Sequence, residues 1–153
     1  MRIWIDADAC PRGVREIVLR ASERRHVPLT FVANKFVPTP NLAWINSVQV
    51  AAGMDVADTY IVQNMSPEDL VVTQDVPLAA EVVEKGARAI SHRGVTWTEE
   101  NIREKLSMRD FFTEARASGI MTGGPPPFDT KAKQAFANAL DRWLTAALKK
   151  RKS

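Results

Sequence analysis

The stretch Ile3-Trp4-Ile5-Asp6-Ala7-Asp8-Ala9-Cys10-Pro11 decides how the chain is read. Its apolar start predicts a buried strand, and the strand stops at two carboxylates one residue apart. Pro11 then suits the first turn of a helix, where its missing N–H costs nothing. Strand, acidic turn and helix form the repeating unit of open α/β sheets, in which ligands gather at the carboxyl ends of strands. On an extended backbone Asp6 and Asp8 share a face, and two anions held that close repel unless a cation or a shared proton neutralises them. The blander alternative is that Asp8 caps the following helix and Asp6 ends a turn. One acid in such a role is ordinary; two together point to a site.

Working outward, Val14, Ile17, Val18 and Ala21 follow helical spacing and predict a helix from Pro11 to about Arg25. Leu29 to Ala33 predicts a second strand, ending with Asn34-Lys35 at the same sheet edge as Asp6. Phe36 to Asn46 holds two prolines and reads as loop. Ser47 to Val50 is a short third strand. Asp55-Val56-Ala57-Asp58 opens a helix to about Met65, with Asp55 as its N-cap. Leu70 to Thr73 is a fourth strand of the doubly buried kind, and Thr73-Gln74-Asp75 puts another acid at a strand end. A helix from Pro77 to Lys85, closed by Gly86, leads to a fifth strand from Ala87 to Ser91. Such alternation predicts a mostly parallel sheet with right-handed crossovers. Asp6, Asp8 and Asp75 then converge by topology, and Asp55 or Asp58 reaches them from a helix N-terminus.

The remainder is helical. Thr98 caps a helix from Glu99 to Ser118, with Ile102, Leu106 and Ala115 inward, Phe111 and Phe112 anchoring its far half and Gly119 ending it. A loop of glycines and prolines, Ile120 to Phe128, precedes a last helix from about Thr130 to Lys150. Phe136, Leu140, Trp143, Leu144 and Ala147 give that helix one apolar stripe, which is core packing. The expectation is a single three-layer α/β/α domain over residues 1–153, its helices from about 98 packed on the sheet.

The chain has 153 residues, 45% apolar and 25% charged, the balance of an ordinary globular protein. No run is long enough to span a membrane and no signal pattern opens the chain, so a cytoplasmic protein is expected. A single cysteine, Cys10, excludes an internal disulfide framework and a cysteine-based zinc site. Cys10 itself reads as a small apolar packing residue. The net charge of +3 suits an anionic partner. Lys149, Lys150, Arg151 and Lys152 read as a solvated helix end, as do most charge runs. Arg12 and Arg15 differ, because they lie within one helical turn of the acidic pair and are candidate substrate-binding residues.

Carboxylates without histidine suit a hard divalent cation, Mg²⁺ or Mn²⁺, which binds phosphates and makes hydroxide from bound water near neutral pH. Asp6, Asp8, Asp55, Asp58 and Asp75 are the candidate ligands, and His26 and His92 are expected at the surface. Thr122-Gly123-Gly124 offers unshielded backbone N–H groups that suit a phosphate, with a tight connection between helices as the equal alternative.

The segments IDADACP, DVAD, TQDVPLAAEV, TGGPPPF and FANALDRW together resemble the YaiI/YqxD family of uncharacterised bacterial proteins, over essentially the whole chain. That resemblance implies a place near the PIN-like nucleases, metal-dependent ribonucleases of α/β/α fold. It implies that Asp6, Asp58 and Asp75 are the three PIN acids, with Asp8 as an added ligand and Asp55 as either a further ligand or a cap, Asp6, Asp8, Asp58 and Asp75 carrying catalysis, and RNA as partner. The acid that PIN domains carry on a helix after the second strand has no counterpart between Phe36 and Asn46. Two rivals stand beside this. Ile5-Asp6-Ala7-Asp8 also resembles the first motif of haloacid-dehalogenase-type phosphatases, with Asp6 as nucleophile and Thr73 binding phosphate. The other is a non-catalytic module that binds RNA through its cationic residues.

Overall fold

Ile3, Trp4 and Ile5 are all buried, which requires protein on both faces of the strand they form. The computed structural model describes residues 1–53, 55–107 and 128–152, and it supplies both faces. Strand β1 (Ile3–Asp6) lies at the centre of a five-stranded sheet with β2 (Leu29–Ala33), β3 (Ile45–Gln49), β4 (Leu70–Val72) and β5 (Arg88–Ile90). Their spatial order is β3-β2-β1-β4-β5, and every pairing is parallel. Helices α1 (Arg12–Arg25), α2 (Val56–Asn64), α3 (Val76–Glu84), α4 (99–107 in its described part) and α5 (Thr130–Lys152) complete the chain.

Alternation with period two sorts each strand between two cores. Ile3, Ile5, Leu29, Phe31, Leu70, Val72 and Ile90 meet Val14 and Val18 of α1 and Phe136, Leu140 and Leu144 of α5. On the opposite face Trp4, Val32, Val71 and Ala89 meet Ile61 of α2, Leu78 and Val82 of α3, Trp97 and Ile102. The α/β/α architecture expected from the sequence is therefore present, and the stripe on α5 is core.

The element bounds shift where burial and pairing decide them. Strand β3 starts at Ile45, two residues before the expected Ser47, because Ile45 is buried and pairs with Leu29. Pro11 stands just outside α1 as its N-cap, and its carbonyl accepts from Val14 N and Arg15 N. Leu106, expected inward, is 39% exposed; of the apolar residues in the described part of α4, Ile102 alone is buried. Thr98 caps α4 as expected, in a reciprocal pair: its Oγ1 accepts from Asn101 N while Asn101 Oδ1 accepts from Thr98 N. Phe111, Phe112 and Gly119 lie outside the described residues.

Two contacts fix the layers. Gly94 has φ +83°, and a Cβ there would lie 2.3 Å from the Ala135 carbonyl oxygen, so the loop after β5 rests directly on the α5 backbone. At the amino ends of the strands, Asp69 is 4% exposed and its carboxylate accepts from Arg2 N, Trp4 Nε1 and Ser66 N at 2.9–3.0 Å. The Met1 ammonium, 3.8 Å away, offsets its charge. Asp69→Ala strands the buried Trp4 indole N–H and two backbone donors. Denaturant unfolding should show a loss of about 3 kcal/mol, the range for breaking a buried charged hydrogen-bond set.

Candidate functional site

The order β3-β2-β1-β4-β5 reverses direction between β1 and β4, and ligands of open parallel sheets sit outside the carboxyl ends of strands at such a switch point. Asp6 is the last residue of β1. Asp75, three residues past β4, caps α3: its Oδ1 accepts from Leu78 N at 2.9 Å while its own N–H donates to Thr73 Oγ1 at 2.9 Å. Asp58 sits in the first turn of α2. Asp55 occupies the N-cap position of that helix but does not cap it through its side chain. Its backbone is left-handed, φ 63°, and only its carbonyl serves the helix, accepting from Thr59 N. The side chain is thereby left for other work.

Asp8 does not cap α1 either. It lies within a 3₁₀ turn, Ala7–Ala9, that precedes the helix, and its Oδ2 accepts from Asn34 N at 2.8 Å. The acid thus ties the end of β1 to the end of β2. This bond is one the sequence reading missed, since a backbone donor 26 residues away has no side-chain signature.

Asp55, Asp58 and Asp75 each place a carboxylate oxygen within 4.8 Å of the others. Burial, followed by the charges of Asp75, Asp6 and Asp55, pushes the Asp58 carboxyl up to about 7. Burial first, then Asp8 and Asp75, also raises Asp6. Asp6 and Asp58 thus link the acids into one chain of charges, with Asp8 reached through Asp6 and outside the Asp55-Asp58-Asp75 group. Among the described residues no ion pair engages any of them. An all-carboxylate donor set with uncompensated charge fits a hard divalent cation, and the residues able to hold one are Asp55, Asp58 and Asp75, with Asp6 and Asp8 alongside.

The remaining candidates divide. Thr73 is buried; its hydroxyl braces Asp75 and its carbonyl accepts from the Trp97 indole at 3.1 Å. Arg12 is exposed and pairs with Glu16 at 3.2 Å. Arg15 is half-buried, and its Nε is shielded from solvent without a hydrogen-bond partner. The Cys10 thiol packs against the core, and burial pushes it up to about 12, which removes it as a nucleophile near neutral pH. Thr122, Gly123 and Gly124 lie outside the described residues. His26 is exposed, as expected, with its ring 4.5 Å from that of Trp44. His92 is not at the surface: it is 6% exposed. The Ser91 hydroxyl accepts from Arg93 N and Val95 N, and Gly94 abuts α5, which fixes the loop that carries His92. His92 N donates to Gln74 Oε1 at 2.9 Å, joining the ends of β5 and β4. A cavity of about 570 Å³ lies away from the acids, between the Pro67–Asp69 turn, β5 and Trp143 of α5.

This sheet, with its acids at the switch point, belongs to a group of chains with a common sequence. The profile of the family described as "Uncharacterized BCR, YaiI/YqxD family" matches residues 4–146, and the chain belongs to that family. A UPF0178 protein of Psychromonas ingrahamii is 57% identical over 149 residues, covering 97% of this chain and 99% of that protein. A UPF0178 protein of Shewanella baltica is 52% identical over 143 residues (94% and 95%), and one of Proteus mirabilis is 51% identical over 151 residues (99% and 100%). No solved structure matches the chain. No helix among the described residues is long and apolar enough to cross a membrane.

Two titrations follow, of opposite sign. The folded chain holds the Asp58 proton up to about pH 7 whereas an unfolded aspartate releases it near 3.8, so without metal stability falls as pH rises through that window. Asp58→Asn should flatten the fall and make the metal-free protein more stable at pH 8, by on the order of 1 kcal/mol once solvent screening of this half-exposed group is allowed for. His92 runs the other way. Burial lowers it from 6.5 to about 4, so the unfolded chain gains a proton that the folded chain refuses, and stability falls as pH drops from 6.5 towards 4. His92→Gln should remove on the order of 2 kcal/mol of that acid sensitivity, read from melting curves at pH 4.5 and 7.5.

Proposed function

We propose that this protein is a metal-dependent ribonuclease that adds water across a phosphodiester bond, leaving a phosphomonoester and a hydroxyl. The observation that carries the reading is a linked set of carboxylates without a cationic partner among the described residues: Asp55, Asp58 and Asp75 meet within 4.8 Å, and Asp6 feels the charges of Asp75 and Asp8. The resemblance of Asp6, Asp58 and Asp75 to the acids of PIN-like nucleases supports it, as does the net charge of +3. A divalent Mg²⁺ or Mn²⁺ held there supplies Lewis acidity at phosphorus–oxygen bonds and hydroxide near neutral pH.

The chain's own residues have distinct tasks. Asp55, Asp58 and Asp75 hold the ion, and Asp75 is aimed by two hydrogen bonds to α3 and Thr73. Asp6, raised by burial and then by Asp8 and Asp75, would accept a proton from the attacking water. Asp8 spends one oxygen on Asn34 N and keeps the other for a ligand. Arg12 and Arg15, at the start of α1, would meet the substrate's phosphates, Arg12 by leaving its pair with Glu16.

Purified protein incubated with labelled single-stranded RNA should cleave it with Mn²⁺ or Mg²⁺ and stop on addition of EDTA. Mn²⁺ should also raise the melting temperature, because it binds the folded state alone. Asp75→Asn should lower cleavage by at least roughly 100-fold, the upper range for disturbing even an outer partner of a metal ligand, while RNA is still bound. Binding with no cleavage at any metal concentration would make the protein an RNA-binding module. Turnover of p-nitrophenyl phosphate with a covalent adduct on Asp6 would make it a phosphatase.

A further inference from the structure

Two residues after the Asn34 N–H that binds Asp8 stands an exposed aromatic ring. Phe36 is 72% exposed, the most exposed large apolar side chain among the described residues. The chain on either side of it is fixed. Two residues before it, Asn34 N donates to Asp8 Oδ2 at 2.8 Å, and the Asn34 carbonyl accepts from Gln49 Nε2 at 3.4 Å. One residue after it, Val37 is 9% exposed and packs in the core with Phe31 and Ala33. The pair Lys35-Phe36 is thus held outward between two anchors, with both side chains exposed. The anchor on the Asn34 side is bound to Asp8, an acid of the candidate site.

Resting on the ribonuclease reading above, we propose that Phe36 is the base-stacking platform of that site. It seats one unpaired base of a single-stranded RNA whose adjoining phosphate lies over the acids, and Lys35 meets the backbone beside it. An exposed aromatic next to a cation, at the rim of a phosphate-handling centre, matches what an unpaired nucleotide offers: a free π-face and a charged link. A base within a duplex has both faces covered by its neighbours, so the platform selects single strands. A protein partner fits less well. Asn34, Lys35 and Thr39 put polar groups close to Phe36 in the chain, and the other exposed large apolar residues among those described, Val95 and Leu106, lie on different elements.

The experiment titrates labelled single-stranded RNA with Mn²⁺ in an Asp75→Asn background, so that no cleavage runs during the measurement. Phe36→Ala should weaken binding about ten-fold, within the range for losing one stacked base, and leave its salt dependence unchanged. Phe36→Trp should restore affinity, and Phe36→Leu, apolar without a π-face, should not. Lys35→Gln should flatten the plot of log affinity against log salt by about 0.7, the value for one single-strand phosphate contact. An abasic residue walked along the RNA should weaken binding at one position with Phe36 present and at none with Phe36→Ala. Equal binding by Phe36→Ala, or full restoration by Phe36→Leu, overturns the platform and leaves the ribonuclease reading standing. Sedimentation showing that Phe36→Ala dissociates an oligomer overturns it in favour of a self-interface. If the Phe36 protein binds no RNA even at low salt, the ribonuclease reading itself falls, and the platform with it.

Discussion

The placement of β1 depends on the buried carboxylate of Asp69. A strand inserted between two parallel neighbours has no hairpin turn to set its register, so something outside the ladder must do so. Asp69 does this by accepting from Arg2 N and Trp4 Nε1 at the start of β1 while also holding Ser66 N in its own turn. Arg2 extends the clamp to the next strand, donating from Nη1 to Thr30 Oγ1 at 2.9 Å. With Ile3 opposite both Leu29 and Leu70, Asp6 is delivered to the far edge beside the ends of β2 and β4.

The two edges of the sheet are built on opposite principles. At the amino ends an acid is buried and fully partnered. At the carboxyl ends five acids crowd together with few partners, and the apolar layers carry the repulsion. Ile5, Phe31 and Val72 below them are at most 2% exposed, so the strand ends cannot splay apart to relieve it. Burial first, and the neighbouring charges after it, raise the proton affinities of Asp58 and Asp6.

Much of this could be read from the residues. The apolar runs of β1, β2 and β4 are distinctive because parallel strands are buried on both faces, and acids at strand ends converge once the alternation of elements is recognised. What escaped the sequence depends on contacts between distant segments. Asp55 carries the residue type and position of a cap, yet its left-handed backbone turns the carboxylate away from the helix. Asp8 is held by a backbone N–H just past another strand, and His92 lies in a loop whose path is set by Ser91 and Gly94. The exposure of Leu106 arose the same way, from which face of α4 meets the sheet. None of these leaves a mark in local periodicity.

The bond from the Trp97 indole to the Thr73 carbonyl has a practical side. It fastens a buried natural fluorophore to the residue whose hydroxyl braces Asp75. The chain holds four tryptophans, and Trp97 alone makes this attachment, Trp4 and Trp44 donating to Asp69 and Ser22 at other places in the fold. A ligand that shifts the end of β4 alters the indole's hydrogen bond and with it the colour and intensity of its emission. The protein carries an optical gauge of its own acidic edge, readable without a label once the other three indoles are replaced.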